Sequence, residues 1–501
     1  MLLRRRPPRG ADAGLDRAES DIADPLTCRV ARGARASLLA AALLAAFGCA
    51  RHGRPNVLLI VADTVRADRI GAAGYARATT PAIDALARDG ALYLEARTPS
   101  PWTLPAHASL LTGLYPSAHG GEAGSLKLDA ALPFLARRLH DAGYRTEASI
   151  GNPWVGKDYN FQEGFDRFEE VWRKVKGTEA DMGAGATNEW LTRWLDERAT
   201  NPAARDKPFF LFVNYFEPHL PYNAPEPERG RFVRAGADPA AIERMRHFKY
   251  PEEVRFILGL TRLMPDELAL LGDLYDGEIA YVDRRIGELV AALRRNALLD
   301  DTVVVVTSDH GEMLGEHRLL DHKLSVFEPV LRIPLVVRYP PAVRAGQRIT
   351  APVMLQDLYA TILALAGAPA DAAAAAAGAH PDARPLPGVR GLDPGAPRGA
   401  TPDDPIISEY GPPTDFLQVI ERIAPGFDTP TFNRTLIAWQ VGTRKTIWAS
   451  NGYHRIFDLA ADPAESADLG PANPDELTAT ASRVEAWLSR PGARPPIGEP
   501  R

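Results

Sequence analysis

Three apolar runs constrain this chain more than any other feature. Residues 56–62 (NVLLIVA), 209–216 (FFLFVNYF) and 303–308 (VVVVTS) are short and almost unbroken, and they are rich in β-branched or aromatic side chains. A strand that is apolar on both faces must be covered on both, the situation of a parallel sheet between helix layers. Each run ends on polar residues. Asp63 follows the first, Glu217-Pro218-His219-Leu220-Pro221-Tyr222 closes the second, and Asp309-His310-Gly311-Glu312 follows the third. Ligands and reacting groups of open α/β sheets collect at the carboxyl ends of strands, so the three runs deliver their polar residues to one edge.

The rest of the chain agrees with that architecture. Further strands are expected at 145–151 and 334–339. Helices are expected from Thr80-Pro81 to about Asp89, at 130–142, 184–199, 266–295 and 354–366. Residues 152–183 read as loop and 225–264 as an irregular insertion with helical pieces. Alternating strands and helices predict an α/β fold with a mixed, mostly parallel sheet flanked by helices. Residues 368–404 are rich in Ala, Pro and Gly and read as a linker or surface excursion. Beyond them, 435–441, 444–449 and 453–459 are closely spaced strands of an antiparallel meander, and 474–489 is a closing helix. The expected organisation is a leader over 1–54, a catalytic α/β domain over 55–367, a linker over 368–404 and a C-terminal subdomain over 405–501.

Composition excludes several chemistries. The chain has 501 residues, and its 58 Lys and Arg against 64 Asp and Glu leave a net charge of −6, with no basic block in its body. Nucleic acid is therefore not an implied partner. The two cysteines, Cys28 and Cys49, both precede the first strand, so the body is expected to hold no disulfide, thiolate ligand or cysteine nucleophile. Arg32 and Arg35, the apolar run 36–48 and Cys49 form the pattern of a secretory signal. The run is too short to span a bilayer, which takes ~20 apolar residues. Its Ala-Phe-Gly-Cys ending resembles a bacterial lipoprotein box, which implies an exported periplasmic or cell-envelope lipoprotein anchored through a lipid on Cys49. A signal this far into the chain is expected if translation starts at Val30, and a precursor peptide from residues 7–29 would exclude that start.

Between the first and second runs lies Trp102-Thr103-Leu104-Pro105-Ala106-His107-Ala108-Ser109-Leu110-Leu111-Thr112-Gly113. Locally it is a helix start, with Thr103 as an N-cap and Gly113 as a stop. A hydroxyl there also sits at the positive end of a helix dipole, where an anionic ester is stabilised. Asp63, the Asp309-His310 pair and the Thr103 hydroxyl together form a hard or borderline divalent-cation site of O and N donors, suited to Ca, Mg, Mn or Zn. Such an ion polarises an ester and activates a hydroxyl nucleophile. Asp276 and Asp283 in the long helix read as solvated or capping residues, and His317 and His322 as surface residues or supports of the site.

At these residues the chain resembles the sulfatases of the alkaline phosphatase superfamily. The segment from Pro55 to Asp68 resembles the family's opening strand and first metal ligand, and Thr79-Thr80-Pro81 with Ile83 to Gly90 its first helix. Thr103 to Gly113 is similar to the Cys/Ser-x-Pro-Ser-Arg signature. Pro218-His219-x-Pro221-Tyr222, Ser308 to Glu312, Lys323 with Glu328 and Arg332-Ile333-Pro334-Leu335, and Phe457-Asp458-Leu459 with Asp462-Pro463 and Glu465 complete the set. The resemblance implies one divalent ion on Asp63, Thr103, Asp309 and His310. It implies His219 and Lys323 as groups that hold the transferred group or protonate the leaving oxygen. His107 lies near the nucleophile with no assigned role.

The sequence also departs from the family pattern. Thr103 stands where the Cys or Ser is oxidised to formylglycine, and its Cβ methyl rules out the same aldehyde, so no formylglycine is expected. Ala106, His107 and Thr64 replace the signature Ser, the signature Arg and the second opening Asp. The Gly-Lys-x-His element falls on Gly151-Asn152-Pro153-Trp154, without its cations. The resemblance thus implies a metal-dependent hydrolase of sulfate esters, or of phosphate or phosphonate esters, working through a Thr nucleophile. Its substrate would be a small-molecule, glycan or lipid-headgroup ester. A phosphoethanolamine-transferase-like phosphotransferase and a catalytically silent binding protein of the same fold remain the alternatives.

Overall fold

Eight strands form the central sheet. They are β1 (Asn56–Ala62), β2 (Ala91–Tyr93), β3 (Arg145–Ile150), β4 (Arg167–Glu170), β5 (Phe209–Tyr215), β6 (Thr302–Thr307), β7 (Leu335–Arg338) and β8 (Gln347–Ile349), in the spatial order β8-β2-β7-β6-β1-β5-β3-β4. Only β7 runs against its neighbours. These positions come from a computed structural model that describes residues 53–121, 126–175, 181–368, 382–429 and 431–494. The expectations for the leader, the signal run, Val30 and Cys49 lie outside the described residues. No helix among the described residues is long and apolar enough to cross a membrane.

The sheet is covered on both faces, as its apolar runs require. Val57, Leu59 and Val61 of β1 pack into one core and Leu58, Ile60 and Ala62 into the other, none more than 2% exposed. The first core is closed by α2 (Thr103–Thr112), α3 (Leu135–Asp141) and α6 (Asp357–Leu365). The second is closed by α1 (Pro81–Arg88), α4 (Ala184–Thr200) and α5 (Pro265–Arg295). Burying each such aliphatic side chain contributes about 2 kcal/mol, and the alternation commits every position of the strand to it. α3 starts later than expected because Pro133 disfavours helical backbone at Leu132.

Register decides which residues meet at the carboxyl edge. Val61 pairs with Thr307 and Ala62 with Tyr215, so continuing each ladder puts Asp63 level with Asp309 and beside Phe216. Ile150 pairs with Asn214, which brings Asn152 to the same edge.

A second sheet, β9 (Ile406–Tyr410), β10 (Leu436–Val441), β11 (Arg444–Ala449) and β12 (Arg455–Asp458), is antiparallel throughout. Its last three strands match the expected meander. β9 and helix α7 (Thr414–Ile423) were not legible in the sequence, and α8 (Pro474–Leu488) closes the chain as expected. Arg54–Arg501 forms one compact unit. The part of the Ala/Pro/Gly-rich stretch described from 382 onward packs on this body. Leu386 and Val389 enter the first core, and Arg398 pairs with Asp357 at 2.5 Å.

Three buried carboxylates organise the second face. Asp276 is not solvated: it receives Arg69, Tyr75 and Arg77 at 2.6–2.9 Å. Asp283 caps α1 through the N–H groups of Ala82 and Ile83, both at 2.9 Å. Glu217 Oε1 accepts from Met182 N at 2.9 Å and from Ala184 N at 3.4 Å at the start of α4, while Oε2 has no partner. Burial, with Asp181 adding to it, pushes Glu217 up to about 7 despite those N–H groups.

A carboxyl group raised in this way binds its proton more tightly folded than unfolded. Its contribution to stability is complete below the unfolded pKa and lost as pH rises through about 7. Glu217→Gln keeps the accepting oxygen and cannot ionise. Urea unfolding of both proteins at pH 4.5 and pH 8 should therefore show the wild type losing up to about 3 kcal/mol more than the variant. Equal losses would contradict this assignment.

Candidate active site

Trp102 occupies the extended position before α2 (φ −144°, ψ 159°), and Thr103 is the first helical residue. The expected N-cap role of Thr103 therefore does not hold. Its Oγ1 lies 3.3 Å from His310 Nε2 and accepts from Asn152 Nδ2 at 3.4 Å. Gly113 does end the helix, in the left-handed region at φ 75°. One turn along α2, His107 Nδ1 donates to the Thr103 carbonyl at 2.9 Å, and its Nε2 accepts from Asn214 Nδ2 at 3.3 Å. Burial lowers its pKa against the pull of Asp309, so the ring is neutral. His107 is fully buried and, unlike Thr103, does not line the cavity.

Asp63, Asp309 and His310 each offer a donor atom within 4.8 Å of the others, and all three are fully buried. Asp63 Oδ2 accepts from Asn152 Nδ2, and Oδ1 has no hydrogen-bond partner. Asp309 Oδ1 accepts from Thr64 N at 3.2 Å and His310 N at 2.9 Å, and Oδ2 has no hydrogen-bond partner. His310 Nδ1 donates to the Gly311 carbonyl at 3.0 Å, which leaves Nε2 aimed at Thr103 and at both carboxylates, 3.8 Å from Asp63 and 3.2 Å from Asp309.

Charge at this edge is out of its ordinary range. Burial and the Asp309 carboxylate hold Asp63 well above the usual carboxylate pKa. Burial alone would raise Asp309 too, but the charge and hydrogen bond of His310 outweigh it and hold it well below. Burial alone would lower His310, but Asp309 and Asp63 push it up to about 9. Two carboxylate oxygens without partners, facing an imidazole nitrogen and a hydroxyl, are the donor set of a divalent cation. The residues present fit the ion that the sequence implies.

The cavity in front of Thr103 measures about 620 Å³. His219 reaches it after the Glu217-Pro218 turn, stacked on Phe216 at 4.6 Å, with Nδ1 donating to the Leu220 carbonyl at 2.8 Å. Burial lowers its pKa, so Nε2 is an unprotonated acceptor. Lys323 pairs with Asp321 and lies 3.9 Å from Glu253 and 4.8 Å from the Tyr250 ring centre. Burial would lower its pKa, but Asp321 and Glu253 push it up, so it stays an ammonium. The structure therefore gathers Asp63, Thr103, Asp309 and His310 into one centre and sets His219 and Lys323 on the cavity wall. His317 stacks on Phe327 at 3.7 Å instead.

Asn152 is the residue that sequence reasoning passed over. It stood out only as a site of lost cations, yet it donates to both Asp63 and Thr103. Its signal was its place two residues past the end of β3. Asp321 was also missed, and Glu312 was placed at the carboxyl edge without a role; only the closeness of Asp321 to Lys323 in sequence could have pointed to it.

The profile of the Sulfatase family matches residues 55–368, so the chain belongs to the sulfatase family. It is a sulfatase-family hydrolase by that membership. Among curated relatives, the uncharacterized sulfatase YidJ of Escherichia coli K12 is 29% identical, covering 62% of this chain and 68% of the relative. The choline-sulfatase of Rhizobium meliloti is 27% identical over 86% of both chains. The phosphonate monoester hydrolase of Agrobacterium radiobacter has the same fold, with a TM-score of 0.66 and 24% identity over 87% of this chain and 95% of that one.

Asn152 should matter through its bonds to Asp63 and Thr103 and through its Oδ1, which accepts from Trp154 N at 2.9 Å. Asn152→Ala leaves the strand pairing intact and should lower metal affinity or turnover by roughly 10- to 100-fold. Titration of the purified variant with Mn2+ measures this directly, and wild-type affinity and turnover together would assign Asn152 no role.

Proposed function

We propose that this sulfatase-family protein is a metal-dependent hydrolase of sulfate or phosphonate-type esters, with Thr103 Oγ1 as its nucleophile. One observation carries the reading. The Thr103 hydroxyl sits on the cavity floor at the first residue of a buried helix, within 3.4 Å of His310 Nε2 and Asn152 Nδ2. Asp63, Asp309, His310 and Thr103 would hold the ion. Bound there, it lowers the pKa of the Thr103 hydroxyl and draws charge from the ester oxygens.

The protein's own groups supply the rest. Thr103 Oγ1 forms a bond to sulfur or phosphorus as the bond to the leaving oxygen breaks. His219 Nε2, unprotonated and on the cavity wall, takes the hydroxyl proton and returns it to the leaving oxygen. The Lys323 ammonium balances charge on that oxygen. Water then cleaves the threonyl ester with His219 again as base, and Thr103 is regenerated. His107 and Asn152 position Thr103 through its carbonyl and its hydroxyl. The cavity lining includes Trp102, Trp154, Tyr250, Phe416 and Val419, an apolar surface that suits a flat or hydrocarbon leaving group. The apolar run before Cys49 supports export and lipid anchoring of the same chain.

Thr103→Ala should lower turnover of the metal-loaded enzyme on an aryl sulfate or a phenylphosphonate monoester by on the order of 10³-fold or more, and Thr103→Ser should retain it. Undiminished turnover in Thr103→Ala would remove Thr103 as nucleophile. Ligand binding with no turnover on sulfate, phosphonate, phosphate monoester or phosphodiester substrates would select the silent binding protein.

Chelation should abolish turnover and lower the melting temperature together. Loss of an ion present at a hundredfold excess over its Kd costs about 3 kcal/mol of stability. A melting curve that EDTA leaves unchanged would contradict a buried ion on Asp63 and Asp309.

A further inference from the structure

We propose a second divalent-cation site, formed by Glu312, Asp321 and His322, beside the centre of Asp63, Asp309 and His310. One donor atom from each of the three lies within 4.8 Å of the others. Their exposures are 0%, 2% and 5%. A short hairpin of Met313–Leu314 against Leu320–Asp321 sets the arrangement. Its register pairs Met313 with Asp321, and one step further along the ladder Glu312 faces His322.

A second observation points to a ligand. Both oxygens of Glu312 are buried and have no hydrogen-bond partner. His322 Nδ1 pairs with Asp321 Oδ1 at 2.6 Å and lies 3.5 Å from Glu312 Oε1, so three donor atoms converge while both oxygens of Glu312 stay without a hydrogen-bond partner. The Tyr222 hydroxyl lies beside Glu312.

The purely structural explanation is that Lys323 neutralises the cluster. It accounts for Asp321, which Lys323 pairs with, while burial and Asp321 hold Glu312 and Glu253 well above the usual carboxylate range. It does not account for the two Glu312 oxygens, which are buried without a hydrogen-bond partner, and a buried polar group left without a partner costs several kcal/mol. An ion bridging Glu312, Asp321 and His322 meets the orphaned oxygens of Glu312.

The position also offers a way in. Asp321 and His322 line the same cavity as Thr103. The His322 ring lies 4.2 Å from that of His310 and 5.3 Å from that of His219, centre to centre. Two carboxylates and one imidazole, with no thiolate, suit Mn2+ or Zn2+. An ion there would lie toward the His219 and Lys323 side of the cavity.

The test is metal stoichiometry of the full chain, by calorimetric titration and by elemental analysis after dialysis against Mn2+ and, separately, Zn2+. Wild type should bind two equivalents per chain. Glu312→Gln and His322→Ala should each bind one, and Asp63→Asn should also bind one, having lost the other ion. Metal-free melting temperatures report folding, and Glu312→Gln should melt no lower than wild type because it removes an unpaired buried carboxyl. If either cluster variant fails to fold, the other decides. A single equivalent in wild type, kept by Glu312→Gln and lost in Asp63→Asn, would overturn the second site and leave the proposed function standing. Two equivalents in both wild type and Glu312→Gln would overturn it as well. No bound metal in any protein would overturn both readings.

Discussion

Asp63 and Asp309 are two carboxylates held out of water at the ends of adjacent parallel strands, and the rest of the site answers to that constraint. Both are fully buried, and register leaves them level with each other. Burying an unpaired carboxylate costs several kcal/mol, and burying two side by side adds their repulsion. The apolar alternation of β1 and β6, packed into cores on both faces, supplies the stability that tolerates such a pair. The local answer is polar. Thr64 and His310 donate backbone N–H groups to Asp309, Asn152 donates to Asp63, and the His310 ring sits between the carboxylates. Two oxygens still lack a partner, and it is this remainder that suits a cation.

The C-terminal region is tied to that edge by buried charge. Lys445 of β11 is 1% exposed and reaches Glu328 at 3.0 Å and Glu465 at 2.9 Å, and Arg97 reaches Glu328 at 2.9 Å. Glu328 follows Lys323 by five residues, so the second sheet fixes the segment that carries the cavity's ammonium. From the same region, Phe416 and Val419 of α7 form part of the cavity wall. Breaking one member of such a network leaves a buried charge alone, which is why the ties work as a set.

Much of the fold was legible because its strands are apolar on both faces. β1, β5 and β6 need no alternation to be recognised, and the polar residues after them mark the edge where chemistry collects. The family signatures around Thr103, His219, Asp309-His310 and Lys323 were legible for the same reason, each lying at a strand end or helix start. β4, β9 and α7 were not. β4 is four residues with charged positions, and α7 has its amphipathic face defined only by what it packs against. Thr103 was misread as a cap because a β-region Thr before a helix and a Thr at its first residue look alike in one dimension. Asp276 was read as solvated or capping, and its role in binding Arg69, Tyr75 and Arg77 was not legible because they lie about two hundred residues away.

The sequence by itself determined the α/β class, the order of the main elements and the chemical kinds of residue delivered to the carboxyl edge. It determined as well that Thr103 cannot become formylglycine, since that follows from its covalent structure alone. Tertiary structure decided which of those residues meet. It turned His107 behind Thr103, brought Asn152 onto both Asp63 and Thr103, and set Glu312 across a hairpin from His322. Those outcomes rest on strand register and hairpin pairing, in which one residue of slip moves a side chain to the opposite face. Composition and local spacing do not contain that information, because contacts between distant segments are selected by how both faces of the whole sheet are buried at once.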